Sequence, residues 1–154
     1  MDKLASAGDA RKGQKAFRFP SPALSGDNLD FSFSGVKTAA LNILNADAQK
    51  GIETDRELFA SSFVNVITSA VADKLGMAVR ASGVKSVVMA GGVAANSHLR
   101  AKVSAVCSKL GVEFYVPPIS LCGDNAAMVA SQGVYEYIAG NFADTYMNAS
   151  AEDD

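Results

Sequence analysis

The sequence predicts an α/β fold, a short parallel sheet dressed with helices, and three observations predict it. Ser86-Val87-Val88-Met89-Ala90 is a continuous apolar run that ends at Gly91-Gly92 and leads into a helix carrying Leu99, Val103, Val106 and Leu110. The order then repeats: Gly111 stops that helix, Glu113-Phe114-Tyr115-Val116 reads as a strand, Pro117-Pro118 ends it, and Asp124 to Ile138 reads as the last helix. Strands apolar on both faces with a helix between them belong to a parallel sheet with a right-handed crossover. The third observation is Glu53 to Ser82, where Leu58, Phe59, Phe63, Val66, Ile67, Ala70, Val71, Leu75 and Val79 recur at three- and four-residue intervals and predict the longest helix.

The remaining elements follow from the amino terminus. Asp2 to Ala7 holds at most one short helix, and Gly8, Gly13, Pro20, Pro22 and Gly26 then punctuate a polar stretch that reads as loop. The first twenty-odd residues are expected to lack a core. Phe31 and Phe33 alternate with Asp30, Ser32 and Ser34, the period of a short strand. Gly35 opens a helix whose apolar face is Val36, Ala39, Ala40, Ile43 and Leu44, with a break around Gly51. Residues 1–148 are expected to form one unit, and 149–154, ending in Glu152-Asp153-Asp154, a disordered acidic tail.

Composition narrows the class. With 154 residues, 49% hydrophobic and 19% charged, the chain is a single globular domain able to bury a core. A net charge of -2 excludes a global positive field, so any nucleic-acid contact is local. The cluster Arg11, Lys12, Lys15, Arg18 reads as a solvated loop, or more sharply as an RNA-phosphate contact. Two cysteines, Cys107 and Cys122, make no disulfide scaffold, and a single histidine leaves no self-contained zinc site. No apolar run approaches the roughly 18 residues of a membrane span, and no signal peptide opens the chain, so a cytoplasmic protein is expected. Two clear strands and a doubtful third leave open sheet edges. Either another chain supplies strands, or a longer protein does.

Two segments are candidate sites. In Ala90-Gly91-Gly92-Val93-Ala94-Ala95-Asn96, a strand's end meets a helix's start, where outward N–H groups and the helix dipole favour an anion and glycines admit a close ligand. The plain alternative is a tight turn, with Asn96 and Ser97 as simple caps. It is neither a Walker loop nor the dinucleotide fingerprint. In Cys122-Gly123-Asp124-Asn125, the Asp124 carboxylate could hold a cation or merely cap the last helix. His98 reads as a solvated surface residue, Cys107 as inert packing, and Cys122 as partly exposed but without a histidine base for nucleophilic chemistry.

Three segments taken together are specific: Asp30-Phe31-Ser32-Phe33-Ser34-Gly35-Val36-Lys37-Thr38, Val88-Met89-Ala90-Gly91-Gly92-Val93-Ala94-Ala95-Asn96, and Cys122-Gly123-Asp124-Asn125-Ala126-Ala127-Met128. They resemble the carboxyl-terminal half of the TsaD/Kae/Qri family, the tRNA threonylcarbamoyladenosine transferases formerly labelled O-sialoglycoprotein endopeptidases or glycoproteases. The resemblance runs from Asp2 to about Asn148. It implies part of the second lobe of an actin-like ATPase (ASKHA) fold, which would explain the open sheet. It also implies transfer of threonylcarbamoyl from threonylcarbamoyl-AMP to N6 of the adenosine beside the anticodon of tRNA, with TsaB-like and TsaE-like partner proteins.

The resemblance further implies that Asn96 contacts the nucleotide, that Gly91 and Gly92 let the backbone approach it, and that Asp2 binds ribose hydroxyls. Asp124 matches the carboxylate that completes the site of one divalent metal ion, iron or zinc. The family's His-x-x-x-His metal ligands and Ser-Gly-Gly-His-Thr phosphate loop have no counterpart here, so the isolated chain is expected to be inactive. A competing reading is a non-catalytic nucleotide-binding or assembly module that uses its open sheet edge or exposed helices to form a homodimer or to bind a partner. The old peptidase label finds no His-Glu-x-x-His, no Ser/His/Asp set and no Cys/His pair.

Overall fold

The structure is a computed structural model describing residues 1–26 and 28–148. The acidic tail expected over 149–154 lies outside the described residues. In chain order the elements are α1 (Asp2–Ala7), α2 (Ala10–Ala16), α3 (Ser34–Gln49), α4 (Arg56–Ser82), β1 (Ser86–Val88), a 3-10 turn (Gly92–Ala95), α5 (Ser97–Leu110), β2 (Glu113–Tyr115), a second 3-10 turn (Ile119–Leu121) and α6 (Ala126–Ala139).

The long central helix α4 organises the rest. Its start is set by Asp55, whose carboxylate accepts from the N–H groups of Glu57 and Leu58 at 3.1 and 3.0 Å. That cap places the first turn at Arg56 rather than at Glu53, where the periodicity alone would begin it. Gly83, at φ +67°, ends it in the left-handed conformation that only glycine adopts without strain. The helix has the length and mean hydropathy, 1.2, of a membrane span, yet half of that apolar stretch is buried inside the protein, the environment of a core helix.

β1 and β2 pair in parallel, with Val87 opposite Phe114 and α5 as the crossover. The face carrying Val87 and Phe114 covers Leu99, Val103 and Cys107 of α5, together with Val71 and Leu75 of α4. The opposite face is bare: Val88 is 72% exposed and Tyr115 53%. Strands expected to be buried on both faces are therefore covered on one, and among the described residues no third strand joins them.

Three sequence expectations are corrected. The polar stretch after Gly8 contains a helix, α2, whose Asp9 cap accepts from the Arg11 and Lys12 N–H groups at 2.8 and 3.2 Å. Those two N–H groups, Lys12's first, hold the Asp9 carboxyl below its ordinary range. Nor does the amino-terminal region lack a core. Ala5 is buried with Ala60 and Val64, Pro22 is fully buried, and the Phe17 and Phe19 rings meet Phe59 edge-on at 5.4 and 5.3 Å. Small residues and two isolated rings, Phe17 and Phe19, carry this packing from the amino-terminal side, so no periodic run of large apolar side chains announces it.

Phe31 and Phe33 do not form a strand. Phe31 makes one antiparallel bridge to Ala23, and the two rings stack at 5.6 Å instead of facing opposite ways. Beneath this loop lies Lys74 of α4, only 5% exposed, whose ammonium donates to the Leu24 carbonyl at 2.9 Å and to the carbonyl and Oδ1 of Asn28. Of the apolar face expected on α3, Val36 is buried, Ala39, Ala40 and Ile43 are half-buried, and Leu44 is exposed. No residue of α6 is buried, and that helix begins at Ala126 rather than Asp124 because Asn125 caps it.

Candidate functional site

The site is built at the amino end of α5. Gly91 sits at φ +85°, ψ 173°, a backbone conformation essentially reserved for glycine. A Cβ built on Gly91 or Gly92 would meet nothing within 4 Å, so open space lies over both residues. The chain then tightens into the 3-10 turn, with Asn96 N–H donating to the Val93 carbonyl at 3.0 Å and Ala94 buried beneath it. Asn96 leaves the turn extended and caps α5, its Oδ1 accepting from Leu99 N–H at 2.8 Å. The capping role anticipated for Asn96 is therefore real. Among the described residues it still leaves the side-chain amide, a donor, without a hydrogen bond.

Asp2 arrives at the same helix end from the other end of the chain. Its Oδ1 accepts from Ser97 N–H at 3.1 Å and from Ser97 Oγ at 3.0 Å. A carboxylate against the first turn of a helix is favoured by the unsatisfied N–H groups and by the dipole. Asp2 Oδ2 makes no hydrogen bond among the described residues. One turn along α1, Ser6 Oγ pairs with His98 Nε2 at 3.1 Å, so the half-buried His98 has a protein partner rather than being simply solvated.

Next to Asn96 opens a cavity of 310 Å³ walled by Val64, Ile67 and Val71 of α4, Val93, Leu99 and the Phe33 ring. Thr68 also lines it, but its hydroxyl proton is given to the Val64 carbonyl at 2.7 Å, so among the described lining side chains the Asn96 amide is the donor left to serve an occupant. The arrangement combines apolar walls with one donor, an acceptor carboxylate and a helix amino terminus close by.

Asp2, Gly91, Gly92 and Asn96 are thus assembled around one helix end. Asp124 stands apart from them by element, exposed in the segment before α6 and without a hydrogen bond among the described residues. The alternative reading of Asp124 as a helix cap is excluded, since Asn125 Oδ1 takes the Met128 N–H at 2.9 Å. Among the described residues no group of three or more His, Cys, Asp or Glu side chains converges to hold a metal ion. Asp124 alone does not fit a resident metal, for which ligand number and geometry set affinity.

Both cysteines are buried, which corrects the expectation that Cys122 is partly exposed. Burial pushes the Cys107 thiol up from its ordinary range, as befits inert packing. Cys122 is instead tied to Arg100, whose Nη2 lies 3.0 Å from its Sγ. Sequence reasoning missed Ser97 and Phe33 as parts of the site, and Arg100 as a neighbour outside it that bonds to Ala94 in the turn behind it. For Arg100 the available signal was its place four residues after Asn96, which on a helix turns its side chain back toward the same end.

A family model for tRNA N6-adenosine threonylcarbamoyltransferase, TsaD, matches residues 1–131. A protein of that name from Clostridium botulinum (strain 657 / Type Ba4) is 40% identical over 149 residues, which cover 97% of this chain and 43% of the relative. Another from Bacillus cereus (strain ATCC 10987 / NRS 248) is 42% identical over 142 residues, 92% of this chain and 41% of the relative. The chain thus spans less than half the length of these curated relatives. The helix-rich α/β architecture with its short parallel sheet accords with the ASKHA-type fold of that family. On these matches and on the shared architecture, the chain belongs to the TsaD family.

Proposed function

We propose that this chain is the carboxyl-terminal lobe of a cytoplasmic tRNA threonylcarbamoyltransferase, and that its own part is to hold the adenine nucleotide of threonylcarbamoyl-AMP at the amino end of α5. The observation that carries this reading is the donation from Ser97 N–H and Oγ to Asp2 Oδ1, which brings an acceptor carboxylate to the helix end that Asn96 caps. Asp2 Oδ2 accepts from ribose hydroxyls, the Asn96 amide donates to the nucleotide, and the open Gly91-Gly92 backbone lets it come close. The base leaves water against the apolar walls beside Asn96.

In the complete enzyme, N6 of the adenosine beside the anticodon attacks the carbamoyl carbonyl and AMP departs. This lobe contributes by fixing the donor's nucleotide half, a positioning effect. Asp124 is the single carboxylate that an iron or zinc ion would take from this chain, and the isolated chain is inactive. TsaB-like and TsaE-like proteins are its partners. The tRNA itself meets Arg11, Lys12, Lys15 and Arg18, which are all exposed and form no ion pair among the described residues.

Calorimetric titration with AMP and ATP tests the reading. Binding that Asn96→Ala or Asp2→Ala weakens supports it, and a folded chain that binds neither nucleotide overturns it for the isolated lobe. A second reading, a homodimerising assembly module, is favoured by α6, where Val129, Tyr137 and Ile138 are 69%, 71% and 75% exposed. Self-association indifferent to nucleotide, measured by sedimentation across concentrations, would select it.

A further inference from the structure

We propose that Arg100 is a positioning residue that locks the segment carrying Asp124 to the turn carrying Asn96, so that nucleotide at one is felt at the other. Arg100 is half-buried on the first turns of α5. Its Nε donates to the carbonyl of Ala94, in the 3-10 turn two residues before Asn96. Its Nη2 donates to the Pro117 carbonyl at 2.8 Å, just past β2, and reaches Cys122 Sγ at 3.0 Å, two residues before Asp124. The Cys122 thiol in turn donates to the Pro118 carbonyl at 3.5 Å, leaving its sulfur lone pairs to receive the guanidinium.

Two features separate this arrangement from an ordinary surface arginine. The anchor points are among the most buried in the chain, Ala94 at 1% and Cys122 at 4% exposure. The cation has no carboxylate partner among the described residues, so its charge is satisfied wholly by carbonyls and a thiol. Among the described residues no other hydrogen bond joins residues 91–96 to residues 117–125. A planar fork with separate donors serves both segments at once, whereas a lysine ammonium, a single point of donation, serves one.

Cys122 supplies the readout, since a buried thiol is alkylated only when its segment opens. The inference rests on nucleotide binding at Asn96, so the experiment measures that binding separately. Peptide-resolved labelling of the full 154-residue chain by N-ethylmaleimide, with and without AMP, is run beside AMP calorimetry for wild type, Arg100→Gln and Arg100→Lys. In wild type, saturating AMP slows Cys122 labelling. In Arg100→Gln, basal Cys122 labelling rises about tenfold, as expected for loss of a charged hydrogen bond, and AMP still binds but no longer protects. Arg100→Lys falls between them.

Unchanged basal labelling in Arg100→Gln overturns the proposal, as does protection that survives the substitution or AMP binding that never protects wild type. A wild-type chain that binds no AMP sinks the nucleotide reading and the coupling. The basal rates then still decide whether Arg100 holds the segment. If Arg100→Gln does not fold, hydrogen exchange of amides 119–125 in Arg100→Lys, which keeps the charge and loses the fork, answers the same question: exchange as slow as in wild type overturns the proposal.

Discussion

Asp2 and Ser97 are 95 residues apart, yet the Asp2 carboxylate takes both the backbone N–H and the hydroxyl of Ser97 through one oxygen, at 3.1 and 3.0 Å. This bond makes α1 part of the α5 helix end, and it predicts that stability and ligand affinity respond separately to substitution. Asp2→Ala removes the acceptor of the Ser97 N–H and hydroxyl at the first turn of α5, a loss of about 1 kcal/mol in urea unfolding, comparable to losing a cap. Asp2→Asn keeps a carbonyl for Ser97 and recovers most of that stability. It does not recover a charged acceptor for ribose hydroxyls, so AMP affinity in calorimetry stays reduced. Equal AMP affinity in Asp2→Asn and wild type would remove Asp2 from the site.

Glycines give an opposing pair of outcomes. At Gly13 an added Cβ would lie 2.6 Å from the Leu58 carbonyl oxygen and 2.7 Å from Ser61 Oγ, so α2 cannot keep its seat on α4. Gly13→Ala should destabilise by about 2 kcal/mol or more. Gly133, inside α6, meets nothing within 4 Å, and Gly133→Ala should be neutral or stabilising by about 0.5–1 kcal/mol through helix propensity. Urea midpoints of the two variants check the contrast.

The same Gly13 explains where the sequence was illegible. A glycine at the contact face of a seven-residue helix reads as a breaker, and only the close approach of α4 reveals it as a packing choice. The strand, glycine turn and helix from Ser86 to Leu110 were legible because apolar runs and left-handed glycines act locally. The Gly91, Gly92 and Asn96 turn was legible for the same reason. The partnership of Asp2 with Ser97, and the link through Arg100, depend on contacts between distant segments that no local pattern encodes. Phe31 and Phe33 mimic strand alternation, but among the described residues Phe31 makes a single bridge, to Ala23, and Phe33 already stands at the start of α3, so there is no ladder to join.

Cys107 makes stability depend on alkaline pH. Burial raises its thiol above the ordinary 9.0, so the folded protein keeps the proton that the unfolded chain releases. The contribution is full below about pH 9 and is lost as pH rises through the folded value. Unfolding free energy measured from pH 8 upward should fall with a slope that Cys107→Val removes. A variant with the wild-type slope would assign the alkaline loss to other groups. Because the thiol is 1% exposed, it should also resist alkylation in the native protein at pH 8.

The α2 surface offers the test for RNA. Gly13 faces α4, and positions 11 and 15 lie roughly opposite it at 100° per residue, so Arg11 and Lys15 point outward on a helix held by its other side. The segment is anchored further by Ser62 Oγ donating to the Phe17 carbonyl at 2.9 Å, which fixes the chain just before Arg18. Cations on such a rigid support meet phosphates with little ordering cost, and each phosphate contact adds about one unit to the salt slope of binding. Replacing Arg11, Lys15 and Arg18 together by Gln should weaken tRNA binding and lower that slope by about 2–3. Filter binding across a range of salt concentrations measures both. The matched control is Lys50→Gln with Lys109→Gln, which removes exposed cations elsewhere. If the control lowers the slope as much per charge removed, the contact is diffuse and α2 has no special part in it.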